Sequence, residues 1–315
     1  MRLFSTLVSP ILTYCSEVWG PLLLQGLANN TCNIIAVCNK FPTEGVLLKF
    51  ARYLLGVNNK SSILAVRGEL GLFPLVGDIL RLTVKYWSRI RTLDSDALVK
   101  HAYLDMYSSS YEKNWAKSIK AILQSFDMDG LWFNQGSTHI NRHSTILKKM
   151  FERRYSVAWA NEIDDTLKNP KLRTYKEFKR YFSFENYLLS TKDVRRRTLF
   201  TKLRISAHRL NIELGRHAKP KVPPEKRVCL VCKDGIEDET HFVMHCKQYM
   251  ILRADLFRTL GTFTDFSNLD VKTKFSYIMS YNNGDSEIGN LVTKYIADAS
   301  VFRDNLLVQG DSSQD

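Results

Sequence analysis

The segment from Cys229 to Cys246 constrains this chain most, because it carries the spacing of a closed metal site. Two residues separate Cys229 from Cys232, eight more precede His241, and four more precede Cys246. Two thiols at that separation can hold one ion from the same side of a tight turn, and an imidazole and a third thiol complete a tetrahedron. Thiolates with imidazole are ligands that zinc prefers. The segment therefore predicts a structural Zn²⁺ site with four protein ligands.

A short helix is predicted to carry the second pair of ligands. Gly235 lets the chain turn back after the cysteine pair, and Asp238 is suited to cap a helix that carries His241. On an unbroken α-helix Cys246 would lie about 140° from His241, whereas His245 would share its face. Either the helix kinks and Cys246 binds the ion, or His245 takes the fourth position. Cys246 is preferred because thiolate-rich sites dominate structural zinc.

The chain is basic, and its excess charge lies just before this motif. Its 45 Lys and Arg residues against 32 Asp and Glu give a net charge of +13, which indicates a polyanionic partner. Residues 171–227 contain 17 basic and 5 acidic side chains, a net of +12. The cations predicted to contact nucleic acid are Arg195, Arg196, Arg197, Lys202, Arg204, Arg209, Arg216, Lys219, Lys221, Lys226 and Arg227.

The use of cysteine and the N-terminal sequence indicate a nuclear or cytoplasmic protein that is not secreted. Half of the six cysteines belong to the metal motif and the rest are unevenly spaced, as in a reducing compartment. The apolar run near the N-terminus is interrupted by Pro10 and Tyr14, and no small-x-small cleavage site follows it. The run is also too short to span a bilayer, so no membrane partner is expected.

Helical periodicity predicts a mainly α fold with four regions. These are 1–95, in which 21–44 is an irregular loop or insertion, then 96–190, 191–261 with the basic helix and the zinc module, and a helical tail at 262–315. Apolar residues at three- and four-residue steps predict helices at 75–93, 96–109, 111–126, 145–167, 172–190, 192–214, 247–260 and 286–308.

The predicted helix at 192–214 has a core face and a cationic side. Its apolar stripe follows three- and four-residue steps, and Arg and Lys side chains surround it. After Gly215 a proline-rich basic loop at 216–227 leads directly into Cys229. Such a loop cannot be helical, and its stiffness suits it to hold cations against phosphates.

Four blocks of the sequence resemble the C-terminal third of a LINE-type, non-LTR retrotransposon polyprotein. They are ILTYCSEVWG at 11–20, VRGELGLFPL at 66–75, RRRTLFTKLRISAHRLNIELGRH at 195–217 and CLVCKDGIEDETHFVMHC at 229–246. The last two blocks are the most specific, and the resemblance covers most of the chain except 21–44. It implies a helical thumb over 1–95, a helical linker to about residue 190 and that family's zinc knuckle at Cys229, Cys232, His241 and Cys246.

Proteins of that family copy their own RNA into DNA at a nicked target. The resemblance implies a thumb that holds the primer–template duplex and a zinc knuckle that binds RNA or target DNA. This sequence lacks the palm with its aromatic-x-Asp-Asp motif and lacks an endonuclease, and polymerase chemistry needs magnesium ions held by such carboxylates. We therefore expect a non-catalytic protein that binds RNA or DNA and no small-molecule substrate. The alternative is a protein-interaction module in which zinc only locks helices together.

Overall fold

The computed structural model describes residues 3–24, 27, 33–134, 140–263, 265–280 and 286–311. Within these residues the chain is mainly α-helical and contains no β-strand, which confirms the predicted fold class. Two isolated antiparallel bridges pair Leu70 with Phe184 and Val228 with Ile236. The second bridge closes the turn that carries the first two cysteines of the motif.

Helices of very different length make up the described chain. The α-helices are α1 Ser9–Leu12, α2 Ser16–Leu24, α3 Ile34–Asn39, α4 Pro42–Leu55, α5 Ile63–Leu70, α6 Val76–Arg91, α7 Leu98–Ser108, α8 Trp115–Ser125, α9 Gly130–Phe133, α10 Ile140–Asp164, α11 Tyr175–Phe178, α12 Tyr187–Ser190, α13 Val194–Arg204, α14 Asn211–His217, α15 Met250–Phe263, α16 Val271–Ser280 and α17 Ser286–Asp311. Single π-helical turns occupy Phe4–Val8 and His241–His245, and 3-10 turns occupy Pro170–Leu172, Pro224–Lys226, Lys247–Tyr249 and Phe266–Asn268. The predicted helices at 75–93, 96–109, 111–126, 145–167 and 286–308 are confirmed as α6, α7, α8, α10 and α17, with ends that differ by a few residues.

The chain divides into two compact units, each built from two stretches of sequence. One unit comprises Met1–Leu48 and Phe73–Trp159, and the other comprises Lys49–Leu72 and Ala160–Asp315. The metal motif and the basic segment both belong to the second unit. The domain boundaries predicted from the sequence, after residues 95, 190 and 261, are not tested by this division and remain predictions.

The first unit is organised around α6, whose apolar face is buried. A Cβ atom on Gly20 of α2 would lie only 2.6 Å from Ile79 of α6, so the glycine permits a close helix–helix approach. Farther along α6 the indole of Trp87 donates a hydrogen bond to the Tyr103 hydroxyl at 3.1 Å and stacks on Trp132. Buried aromatic contacts of this kind add stability beyond the area they bury.

No single helix in the described ranges is long and apolar enough to cross a membrane. The N-terminal segments Phe4–Leu12 and Ser16–Leu24 pass the same test only as a pair, and the pair is bent by 73°. The pair is long and apolar enough for a membrane span by length and composition alone.

The second unit contains a buried network of charges. The fully buried guanidinium of Arg204 on α13 bonds both carboxylate oxygens of Glu69 on α5 at 2.9 Å, and it bonds Glu185 at 2.7 Å. Lys179 pairs with the other oxygen of Glu185, so two cations balance two carboxylates. Although burial opposes the charged form, Glu69 and Glu185 raise the pKa of Arg204 above its usual value. A balanced, hydrogen-bonded set is the condition under which buried charges are tolerated.

Aromatic rings enclose the Arg204 guanidinium. Its central carbon lies 4.7 Å from the ring centroid of Phe178, 5.1 Å from that of Tyr187 and 5.6 Å from that of Phe200. The Tyr187 hydroxyl donates to Glu69 at 2.6 Å, and burial followed by the Glu69 charge raises the pKa of this tyrosine well above its usual range. Cation–π contacts are stronger when desolvated, so the rings stabilise the buried cation.

The single helix predicted at 192–214 is wrong, because the chain leaves the helix after Arg204. Ser206 adopts a left-handed conformation with φ of 52°, and the Ala207 N–H bonds back to the Lys202 carbonyl at 2.8 Å. This is a Schellman-type helix end. The Ser206 hydroxyl also donates to the buried Glu239 carboxylate at 2.6 Å, which fixes the break before α14 begins.

The predicted continuous helix at 172–190 is also wrong. The chain instead forms the 3-10 turn Pro170–Leu172 and the short helices α11 and α12. Between α11 and α12 lies a non-helical stretch in which Phe184 pairs with Leu70. The Glu185 N–H donates to the Glu69 carbonyl at 2.9 Å, a backbone bond that a helix could not make. Tertiary pairing therefore overrides the local helical pattern here.

The irregular loop predicted at 21–44 is corrected in part. Helix α2 continues to Leu24, α3 occupies Ile34–Asn39, and α4 begins at Pro42. The Asn33 side chain accepts the backbone N–H groups of the first turn of α3 and so provides an N-cap. Residues 25–26 and 28–32 of the predicted loop lie outside the described residues.

Candidate metal centre

The structure brings Cys229, Cys232, His241 and Cys246 together in one cluster. Their ligand atoms all lie within 4.8 Å of one another, and the three cysteines are buried. Cys232 Sγ lies 3.3 Å from His241 Nε2. A tetrahedral ion with Zn–S bonds of about 2.3 Å places its sulfurs about 3.8 Å apart. The donor set and its spacing therefore fit a single tetrahedral metal ion.

A tight turn positions the first two cysteines. The Cys229 N–H donates to the Gly235 carbonyl at 2.9 Å, and the Lys233 N–H donates to the Cys229 carbonyl at 3.0 Å. Gly235 has a φ of +69°, and a Cβ atom there would lie 3.3 Å from His241 Nδ1. The glycine is needed both for the left-handed backbone and for the close approach of the imidazole.

A π-helical turn positions the other two ligands. The Asp238 side chain accepts the His241 N–H at 2.7 Å, as predicted for a helix cap. The Cys246 N–H donates to the His241 carbonyl at 2.8 Å, five residues back. Because this wider turn replaces the α-helical step, Cys246 comes to the same side as His241. His245 is exposed to solvent, and the cluster contains Cys246 in its place.

The thiols perturb one another electrostatically. A hydrogen bond with Cys246, and then burial, raises the pKa of Cys229 to about 12, while the same hydrogen bond lowers the pKa of Cys246. Burial raises the pKa of Cys232. Metal-bound cysteines must be thiolates, so a bound dication would supply the positive charge that three neighbouring thiolates require.

Three side chains on helices α15 and α17 hold the segment that carries the cluster. Arg253 on α15 donates to the Val243 carbonyl at 2.8 Å and to the Cys246 carbonyl at 2.7 Å. The Tyr295 hydroxyl on α17 donates to the Val243 carbonyl at 3.0 Å. Arg303, also on α17, pairs with both oxygens of Glu237 at 2.7 and 2.9 Å. Arg253 and Tyr295 satisfy carbonyls that the end of the π-turn leaves open, whereas Arg303 holds the side chain of Glu237 before that turn.

Sequence reasoning missed the roles of these three side chains. Arg253, Tyr295 and Arg303 lie outside the motif, and nothing in the local spacing connects them with it. The one available signal was Tyr295, whose place on the apolar face of the last helix predicts that it points inward. A buried tyrosine needs a hydrogen-bond partner, and here the partner is the metal segment.

The predicted nucleic-acid cations differ in their exposure. Arg195, Arg209, Lys219, Lys221 and Lys226 are exposed. Arg196, Arg197, Lys202 and Arg216 are half-buried. Arg204 and Arg227 are buried, and their prediction as phosphate contacts is corrected. The physical reason is that each guanidinium already has internal acceptors, namely carboxylates for Arg204 and backbone carbonyls for Arg227.

Arg227 fixes the basic loop at 216–227. The prediction that this loop contains no helix is wrong near its ends, because Arg216 and His217 finish α14 and Pro224–Lys226 form a 3-10 turn. Its guanidinium donates to the Val222 carbonyl at 2.9 Å and to the Ile212 carbonyl of α14 at 2.7 Å. The Val222 N–H donates to the Gly215 carbonyl at 3.0 Å, so the loop is tied to α14. Within this fixed loop, Lys219 and Lys221 remain exposed to solvent.

Gly215→Ala is expected to destabilise the protein by about 1–3 kcal/mol, because the new methyl group would overpack the site. Its Cβ would lie 2.8 Å from Cγ and 2.9 Å from Cδ of Arg227, which cannot move without losing its carbonyl acceptors. Urea unfolding followed by circular dichroism measures the effect. The control is Gly45→Ala on α4, where a Cβ atom meets nothing within 4 Å. Equal effects of the two substitutions would contradict the packing argument.

The chemistry of the cluster is that of a closed site. Three sulfurs and one imidazole nitrogen fill the tetrahedron, so a bound ion would have no position for a reacting water and would serve structure. His241 would present Nε2 to the ion, the atom that already faces Cys232. Comparisons of the chain with protein-family models, with curated proteins and with solved structures find no match.

Proposed function

We propose that the protein binds RNA or DNA through phosphate contacts, without catalysis, and that a structural Zn²⁺ ion holds the binding surface in shape. Cys229, Cys232, His241 and Cys246 would hold the ion, which supplies folding energy when bound. The region would correspond to the C-terminal part of the retrotransposon polyprotein that the sequence resembles. Thiolate ligands suit the reducing conditions of the nucleus or cytoplasm.

One observation carries the proposal: the fixed basic loop is joined directly to the metal cluster. The Glu237 N–H donates to the Arg227 carbonyl at 2.9 Å, while Arg227 itself ties down the loop. The exposed cations Lys219, Lys221 and Lys226 therefore stand on backbone that the cluster segment helps to hold. Cations on a preorganised loop lose less entropy on binding, and their phosphate contacts are independent of base sequence.

The combined substitution Lys219→Glu, Lys221→Glu and Lys226→Glu is expected to lower nucleic-acid affinity by at least about 100-fold at low salt. The dependence of log affinity on log salt should become shallower, since each lost contact removes about 0.9 from the slope with duplex DNA and about 0.7 with single strands. For the wild type we expect roughly four to eight such contacts. Filter binding over a salt series measures both quantities.

A triple substitution in the first unit provides the matched control. Lys40, Lys113 and Lys149 are also exposed, and changing all three to Glu alters the net charge by the same amount. This control is expected to retain most of the affinity and the slope. Equal losses in both triple variants would contradict a localised surface. A wild-type affinity that does not change with salt would contradict binding through phosphates, and absence of nucleic-acid binding would favour the protein-interaction alternative.

A further inference from the structure

A cavity of about 650 Å³ opens in the second unit beside helix α13. Its volume lies in the range of about 300–1,000 Å³ that is typical of small-molecule sites. Residues on its lining include Gly56, Lys202, Ala207, Arg209 and Phe242. None of these residues belongs to the metal cluster, and the proposed phosphate contacts of the basic loop do not use the cavity.

The walls of the cavity are preformed. Gly56, with φ of +65°, ends α4, and the N–H of the next residue, Val57, donates to the Arg52 carbonyl at 3.0 Å. Ser206, with φ of 52°, ends α13 in the same way, since the Ala207 N–H donates to the Lys202 carbonyl at 2.8 Å. His208 fixes the loop between α13 and α14, because its Nδ1 accepts the Leu210 N–H at 3.2 Å and its Nε2 bonds Glu239 at 2.8 Å. Both ring nitrogens of His208 therefore already have partners within the protein.

The lining combines an apolar wall with a cationic rim. Leucines 199, 203 and 210 and Phe242 form the apolar part. On the rim, Lys202 and Arg209 have no ion pair or side-chain hydrogen bond with any described residue, whereas Arg303 is neutralised by Glu237. Asp304 contributes one carboxylate, which lies 3.9 Å from the Arg303 guanidinium, so Lys202 and Arg209 carry the unpaired charges among the described lining residues. The free cations therefore favour an anion attached to a flat apolar group.

We propose that this cavity binds one unpaired nucleotide, with its base against the apolar wall and its phosphate on Lys202 and Arg209. The inference rests on the proposed binding of nucleic acid and adds a preference for single strands. A base can enter the cavity only when it is outside a duplex, and contact with apolar side chains then makes it contribute to affinity.

The test compares two single-stranded probes on the full chain. One is a labelled oligouridine of about 12 nucleotides, and the other has the same phosphates but abasic sugars. By fluorescence anisotropy at one salt concentration, the wild type should bind the base-bearing strand about tenfold more tightly. Ala207→Trp, which fills the cavity, should abolish that preference. Ala254→Trp, at an exposed position of α15, is the matched control and should keep it.

A second variant keeps the test informative if Ala207→Trp fails to fold. Lys202→Gln combined with Arg209→Gln keeps the cavity open but removes its free cations. Binding of uridine 5′-monophosphate, followed by saturation-transfer NMR, should be detectable in the wild type and lost in both cavity variants. Retained nucleotide binding in the double variant would overturn the assignment of the phosphate position.

The outcomes separate this inference from the proposed function. Equal wild-type affinity for the two strands would overturn the inference and leave phosphate binding by the loop intact. Failure to bind either strand would contradict the proposed function. The monophosphate experiment would then show whether the cavity still binds a nucleotide. Saturable monophosphate binding that Ala207→Trp removes would support the cavity as a nucleotide site, and absence of such binding would overturn it.

Discussion

Cys232→Ser is expected to release the metal ion and unfold the segment from Arg227 to Tyr249. Structural zinc contributes on the order of 10 kcal/mol to small modules of this kind, and that stabilisation is lost with the ion. The expected result is rapid tryptic cleavage after Lys233 and Lys247, which are exposed but held in the folded segment. Limited proteolysis followed by mass spectrometry measures the cleavage, and a chelator should produce the same pattern in the wild type.

His245→Ala is the matched control for this prediction. His245 is exposed and does not belong to the cluster, so its loss should leave the metal content and the cleavage rate unchanged. If the two variants were equally resistant to trypsin, the segment would not depend on a metal ion for its fold.

Arg204→Met is expected to destabilise the second unit by about 3–5 kcal/mol. The substitution removes the cation that pairs with the buried carboxylate of Glu69 and leaves Glu185 with Lys179 alone of its two cationic partners. Arg204→Lys should recover only part of the loss, because an ammonium group cannot bond both oxygens of Glu69 in the planar geometry of a guanidinium. Urea unfolding measured by circular dichroism gives the three free energies of unfolding.

Arg195→Met on the same helix is the control for stability. Arg195 is exposed, so its replacement should change the free energy of unfolding by no more than about 0.5 kcal/mol. Comparable effects at positions 195 and 204 would refute a structural role for the buried network. The network also has a practical consequence: charge reversal at Arg204 would report on folding, so nucleic-acid binding is better tested at the exposed lysines.

Local features of the chain could be predicted from the sequence. The candidate metal ligands lie within one short segment, in which Gly235 permits the turn and Asp238 caps the π-helical turn that bring them together. The long helices α6, α10 and α17 were predictable for the same reason, since their periodic apolar faces are properties of contiguous residues. Spacing alone could not choose between Cys246 and His245, because it does not distinguish a π-turn from an α-turn, and the preference for Cys246 rested on the ligand chemistry of zinc.

Long-range pairing could not be predicted. The sequence suggests that Arg204 is an exposed cation on a basic helix. It is buried instead, because it pairs with Glu69, which lies 135 residues earlier in the chain. Arg173 likewise pairs with Glu239, 66 residues later, so the net charge of +12 over 171–227 overstates the cations available to a ligand. The break at Ser206 has the same origin, because the acceptor of its hydroxyl is again Glu239.

X-ray absorption spectroscopy of the purified protein tests directly whether the cluster binds zinc. We expect one zinc ion per chain with three sulfur ligands at about 2.3 Å and one nitrogen ligand at about 2.0–2.1 Å. Replacing Cys246 with serine should remove a sulfur from that shell or release the ion, whereas His245→Ala should leave the spectrum unchanged. A protein without bound metal, or a shell with oxygen ligands and fewer than three sulfurs, would contradict a structural zinc site formed by these four residues.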